Sequence, residues 1–209
     1  MRLEQNQPGA GNRGKGRKNN SELRSREYLT DKEVDVLMDA ARRIGRHQHR
    51  DATLILLMYR HGLRVSEVTG TEKSEGLRWE QIDLSQGLIH IKRLKNGVPS
   101  VHPLRGPEIR ALRKLKREQE ASSPYVFTTE RGGPITSSTV RKMVVRAGKA
   151  AGIPFPVHPH QLRHGCGFKL ANDGHDTRSL QHYLGHKNIQ HTVRYTELSP
   201  DRFKEFFNE

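Results

Sequence analysis

Apolar residues recur at helical spacing through Val34, Leu37, Met38 and Ala41, directly after Thr30-Asp31-Lys32-Glu33. That tetrad has the form of a capping box, in which a hydroxyl and a carboxylate three residues apart satisfy each other's backbone N–H at a helix start. A second helix is predicted over 50–61, where LILLMY is apolar on nearly every face, the mark of a buried central helix; Gly62 stands where a helix cap would end it. Residues 64–68 open a third helix. From Trp79 to Leu104 the period shortens to alternation: Ile82 and Leu84, then Leu88, Ile89 and Ile91, then Val98, Val101 and Leu104. Turns at Ser85-Gln86-Gly87 and Asn96-Gly97 join these runs into a three-stranded antiparallel meander with Lys95 at a hairpin tip. Helical patterning resumes over 107–119, 138–151, 159–172, 176–184 and 192–196, with proline or glycine in the gaps. The predicted fold class is therefore mainly α with a small three-stranded antiparallel β-sheet, α+β.

Residues 1–26 break this pattern. They are polar, basic and rich in glycine, too poor in apolar surface to offset the entropy of ordering, and are read as a disordered basic arm or a solvated tail. Residues 27–209 are expected to form one domain, a size that supports a real core. The formal net charge of +14 in 209 residues points to a polyanion as partner, nucleic acid before membrane surface. The lone Cys166 has no disulfide partner and reads as a small core residue in a reducing compartment. The longest apolar run, 52–59, is far too short to span a bilayer, and the amino terminus carries no hydrophobic leader, so no membrane partner and a cytoplasmic location are expected.

Cutting a phosphodiester requires a nucleophile, cations for the phosphate oxygens and a proton donor for the leaving oxygen. The chain lacks HExxH, a carboxylate cluster for metal ions and a GxxxxGK[ST] loop, which counts against metalloprotease, two-metal nuclease and P-loop chemistry. Its carboxyl-terminal third is instead dense in histidine, arginine and tyrosine, in VHPHQLRHGCG (157–167) and YLGHKNIQHTVRYT (183–196). His160 with His164, or His182 with His186, would share a helix face as zinc ligands do. No cysteine or carboxylate completes such a shell, however, and the basic surroundings disfavour a dication, so neither metal nor cofactor is expected.

Together with HGLRVSEV (61–68) and RLKNG (93–97), these two segments resemble, in order, the arginine, lysine, HxxR, LGH and tyrosine boxes of the tyrosine recombinase, or phage integrase, family. IHIKRLKNG, HPHQLRHGCGF and DTRSLQHYLGHKNIQHTVRYT are most similar to the short invertases that flip fimbrial promoter switches. The resemblance implies a site-specific DNA recombinase that inverts, integrates or excises DNA. Arg64 and Arg163 would grip the scissile phosphate, Tyr195 would attack it to leave a 3′-phosphotyrosine, and Lys95 would protonate the departing 5′ oxygen. His160 and His186 would donate to phosphate or handle the tyrosine proton, and Glu67 would orient the arginines. It further implies double-stranded DNA with inverted-repeat target sites as partner, a dimer at each site, a tetramer in the synaptic complex, host DNA-bending proteins and a place at the bacterial nucleoid.

Each residue also has an ordinary reading when taken alone. Arg64 and Glu67 fit a surface ion pair at helical spacing, Lys95 a solvated turn, and Tyr195 a half-buried aromatic bonded to backbone. Phe203, Phe206 and Phe207 either pack on their own domain or dock on a neighbouring subunit. A non-catalytic DNA-binding regulator and a metal-dependent nuclease remain alternatives. Two departures from the family pattern stand out: the polar segment TGTEKSEG (69–76), expected as a loop, and Gly165 in place of the usual serine or threonine. Gly165 and Gly167 are expected to weaken their helix, offset by close backbone approach to DNA.

Overall fold

The computed structural model describes residues 27–94, 97–119 and 123–197. The basic arm, Lys95 and the tail phenylalanines therefore lie outside the described residues.

Helix α1 (Asp31–Arg43) begins at Thr30, whose hydroxyl accepts the Glu33 N–H while the Glu33 carboxylate accepts the Thr30 N–H at 2.8 Å, closing the predicted capping box. Helix α2 (Gln48–Arg60) is buried along nearly its whole length, as its unbroken apolar run requires. Helix α3 (Val65–Thr69) follows directly. The polar insertion is more ordered than a loop. Strands β1 (Gly70–Thr71) and β2 (Ser74–Glu75) form a miniature antiparallel hairpin, its turn braced by the Thr71 and Ser74 hydroxyls at 3.0 Å and its base by Arg78 on Glu75 at 2.5 Å.

Beyond a short 3-10 turn at Trp79–Gln81, strands β3 (Ile82–Asp83), β4 (Leu88–Ile91) and β5 (Ser100–Pro103) form the antiparallel meander in sequential order. Its register corrects one detail. Ile89 faces His102 and His90 faces Val101, and because Ile89 is fully buried, His102 shares its inward face. Val101, 53% exposed, points to solvent, and Val98 is likewise exposed. Pairing with a neighbour chose the face of this strand, and the apolar pattern alone pointed the other way.

Helices α4 (Gly106–Glu118), α5 (Ser137–Ala150), α6 (Pro159–Asn172), α7 (Thr177–Leu184) and α8 (Gln190–Glu197) complete the described chain. Helix α2 is the hub, packed on α1, α4 and α6, and α6 in turn carries α7 and α8. The larger core runs from Leu29 to Leu162 across α1, α2, the meander and α5. A smaller one gathers Cys166, Phe168, Ala171, Leu180, Leu184 and Tyr195 between α6, α7 and α8. The fold is thus mainly helical with a small antiparallel sheet. Among the described residues no helix is long and apolar enough to cross a membrane.

Candidate active site

The site lies where these two cores meet, at the ends of short elements. Arg64 is the residue before α3, and its backbone N–H donates to Glu67 Oε2 at 2.9 Å. Its guanidinium reaches the other oxygen of the same carboxylate at 2.8 Å and stays partly open to solvent. The Arg64–Glu67 ion pair foreseen at a surface therefore exists, but its carboxylate is buried. Burial alone would raise the Glu67 pKa. Arg93, the Arg64 N–H, Arg163 and the Arg64 guanidinium outweigh that and lower it, so the group is an anion ringed by cations.

Arg163 projects from α6, which opens with Pro159 at a position where its missing N–H costs nothing. The Arg163 side chain is only 1% exposed and donates to the carbonyls of Gly62 and, at 2.7 Å, Leu184. Burial first, then Arg64 and Arg93, pushes its pKa down to about 10, so it remains a cation at neutral pH. The two guanidinium groups repel each other and differ in burial, Arg64 being partly open to solvent and Arg163 fully buried.

His186 follows Gly185, the left-handed cap of α7, and its Nδ1 lies 2.8 Å from the Thr192 hydroxyl. Its ring stacks on that of Tyr195 with centroids 6.3 Å apart. His160 lies at the exposed outer edge, in edge-on contact with His164 at 4.3 Å between centroids. Desolvation, followed by Arg163, lowers the pKa of both His160 and His186, the latter to about 3.

Tyr195, on α8, is 1% exposed. Its hydroxyl lies 2.8 Å from Nδ1 of His164, a histidine not ranked among the catalytic candidates in sequence. Burial raises the Tyr195 pKa while Arg163, Arg194 and Arg64 act to lower it. The phenol is therefore protonated at neutral pH and sealed in the smaller core, within electrostatic reach of both site arginines. His164 is itself depressed to about 3, by burial and then by His160, so its imidazole is neutral.

The glycines of α6 have a different reason from the one expected. A Cβ at Gly167 would lie 2.8 Å from two Tyr195 ring carbons, and one at Gly165 would lie 2.5 Å from the Leu29 carbonyl oxygen. Both positions are kept small by the protein's own packing, which needs no approach of DNA to explain it.

The structure thus brings together Arg64, Glu67, Arg163, His160, His186 and Tyr195. Two further residues belong to the arrangement. His164 had a signal, its four-residue spacing from His160, which also reads as a zinc pair. Arg93 had none beyond its place in RLKNG, because burial of a guanidinium depends on acceptors distant in sequence. Among the described residues no three histidine, cysteine or carboxylate side chains are placed to share a metal ion.

Residues 27–202 match the Phage integrase family model. The chain is 42% identical over 186 residues to the type 1 fimbriae regulatory protein FimE of Escherichia coli K12, covering 87% of this chain and 90% of that one. It is 40% identical over 190 residues to FimB of the same organism, covering 89% and 92%. Among solved structures, the crystal structure of XerA recombinase superposes with a TM-score of 0.71 at 26% identity, over 86% of this chain and 63% of that one. By the span of that model and the closeness of relatives matched over nearly their whole length, the chain belongs to the phage integrase family.

Proposed function

We propose that this chain, a tyrosine-type site-specific DNA recombinase, breaks and rejoins DNA through Tyr195. The observation that carries the reading is the placement of one buried phenol within electrostatic reach of Arg163, Arg194 and Arg64 and beside two imidazoles, those of His164 and His186. Arg64 and the unshared N–H groups of Arg163 bind the non-bridging oxygens of the scissile phosphate, where a planar fork matches paired oxygens better than an ammonium does. As the Tyr195 oxygen bonds to phosphorus, the bond to the 5′ oxygen breaks and Lys95 supplies that oxygen's proton. The phenol's own proton passes to a neutral imidazole. His164 holds the phenol at rest, and His160 and His186 flank the phosphate. The 3′-phosphotyrosine conserves the energy of the phosphodiester, so religation by another strand's 5′ hydroxyl needs no ATP. Inverted-repeat sites, one dimer per site, a synaptic tetramer and host bending proteins complete this reading. The 42% and 40% identity to two type 1 fimbriae regulatory proteins over most of the chain agrees with the resemblance to fimbrial-switch invertases and so supports inversion as the outcome.

The test uses a duplex that the protein selects from a random-sequence pool, nicked beside the mapped cleavage position. Wild-type protein forms a covalent protein–DNA complex in the presence of a chelator, and Tyr195→Phe binds but forms none. A band shift without covalent product would mark a DNA-binding regulator, and free ends that disappear with chelator would mark a nuclease.

A further inference from the structure

Arg93 is buried deeper than any other cation of the site except Arg163, yet it is not one of the residues that the phosphate chemistry calls for. Its guanidinium reaches four acceptors on three separate pieces of chain. Nη1 donates to Glu67 Oε2 at 2.9 Å and to the Gly62 carbonyl at 3.4 Å, and Nη2 donates to the carbonyls of His61 at 3.2 Å and Tyr183 at 2.5 Å. The partners matter as much as their number. Glu67 is the carboxylate that holds Arg64. Gly62 is also an acceptor for Arg163, and Tyr183 adjoins Leu184, the other Arg163 acceptor. The α2–α3 turn and the end of α7 are therefore tied twice, once by Arg163 and once by Arg93.

The surroundings are cleared for this side chain. A Cβ at Gly185 would lie 2.6 Å from Arg93 Cγ, and one at Gly97 would lie 2.8 Å from Arg93 Cβ. Desolvation lowers the Arg93 pKa and Glu67 opposes it, a charge kept in place by its carboxylate partner.

We propose that Arg93 is a positioning residue for strand cleavage: it shares the Glu67 carboxylate with Arg64 and braces the two backbone segments that hold Arg163, so the two phosphate-binding guanidiniums keep a fixed separation. The inference rests on the function proposed above. A lysine at 93 keeps the charge but cannot span a carboxylate and three carbonyls, because its donors radiate from one atom. Loss of the brace leaves DNA binding, which is spread over many cations, and costs alignment at the one phosphate that reacts.

The experiment measures, on the nicked duplex, the equilibrium affinity and the single-turnover rate of covalent complex formation at saturating protein. It does so for wild type, Arg93→Lys, Glu67→Gln and the double variant, with urea midpoints as the measure of folding. Arg93→Lys is expected to bind within about threefold of wild type but to cleave about 100-fold more slowly, the scale of a misplacement of roughly 1 Å. Glu67→Gln is expected to slow cleavage as well, and the double variant to be slower than the worse single by less than the product of the two effects, because the residues share the Glu67–Arg93 contact within one network. Cleavage by Arg93→Lys at the wild-type rate, a loss matching only its unfolded fraction, or multiplying effects in the double variant would overturn the proposal. If Arg93→Lys does not fold, Glu67→Gln decides alone, and wild-type cleavage by it is fatal. A wild type that forms no covalent complex, or a Tyr195→Phe variant that still forms one, would refute the function itself and leave the Arg93 contacts untouched.

Discussion

Tyr195 and Gly167 show how closely the proposed nucleophile is packed against its own domain. The ring lies edge-on to Phe168 at 5.0 Å between centroids, and the helix face beneath it has no room for a methyl group. Gly167→Ala therefore forces the ring or the helix to move, at an expected cost of about 1–3 kcal/mol from overpacking. The substitution should lower the urea midpoint and also change the rate of covalent attachment, because the ring it displaces is the proposed nucleophile. Gly133→Ala is the control, since a Cβ there meets only the Thr129 hydroxyl at 3.9 Å. Equal midpoints for both variants would show that the contact at 167 relaxes freely.

At the level of elements, short pieces place Arg64, His186 and Tyr195 around the longer helix α6 that holds Arg163. Helix α3 has five residues and α7 and α8 have eight each, too few to be stable as isolated helices, so their positions come from caps and packing. Asp176 accepts the N–H groups of Arg178 and Ser179 and starts α7, and Gly185 ends it one residue before His186. The meander offers a direct test of which face is buried. Val101→Thr should leave stability nearly unchanged because that side chain faces solvent opposite His90. Ile89→Thr, which places a hydroxyl in the core, should cost roughly 2 kcal/mol or more. Chemical denaturation distinguishes them, and a costly Val101→Thr would mean that the strand is paired in the other register.

Over the whole molecule, the buried histidines couple stability to pH. His102, His164 and His186 are all buried and all lowered to about 3, in each case first by burial. In the unfolded chain each returns to about 6.5. Between those values the unfolded state binds protons that the folded state does not, so stability falls as pH drops from about 6.5 toward 3, at up to about 1.4 kcal/mol per pH unit for each histidine. Glu67 and Glu108, whose pKa values are lowered in the fold, add a further loss in more acid solution. Urea midpoints should therefore be clearly lower at pH 5 than at pH 7.5, and identical midpoints would mean that these rings titrate freely in the native state.

The order of elements, the mainly helical class, the meander and the family could all be read in the chain. Each depends on local chemistry that leaves a mark in sequence: the Thr30 capping box, the unbroken apolar run of α2, the alternating apolar residues of the meander and boxes in a recognisable order. Most of the candidate site was legible for the same reason, since Arg64, Glu67, His160, Arg163, His186 and Tyr195 lie inside those boxes. What tertiary structure alone decided were relations across long separations. It set which face of β5 is buried, which histidine meets the phenol, why α6 carries two glycines, and that Arg93 joins three distant segments. Periodicity and capping act within a few residues along the chain, whereas burial of a cation or contact of a ring depends on partners that only folding brings within hydrogen-bond distance.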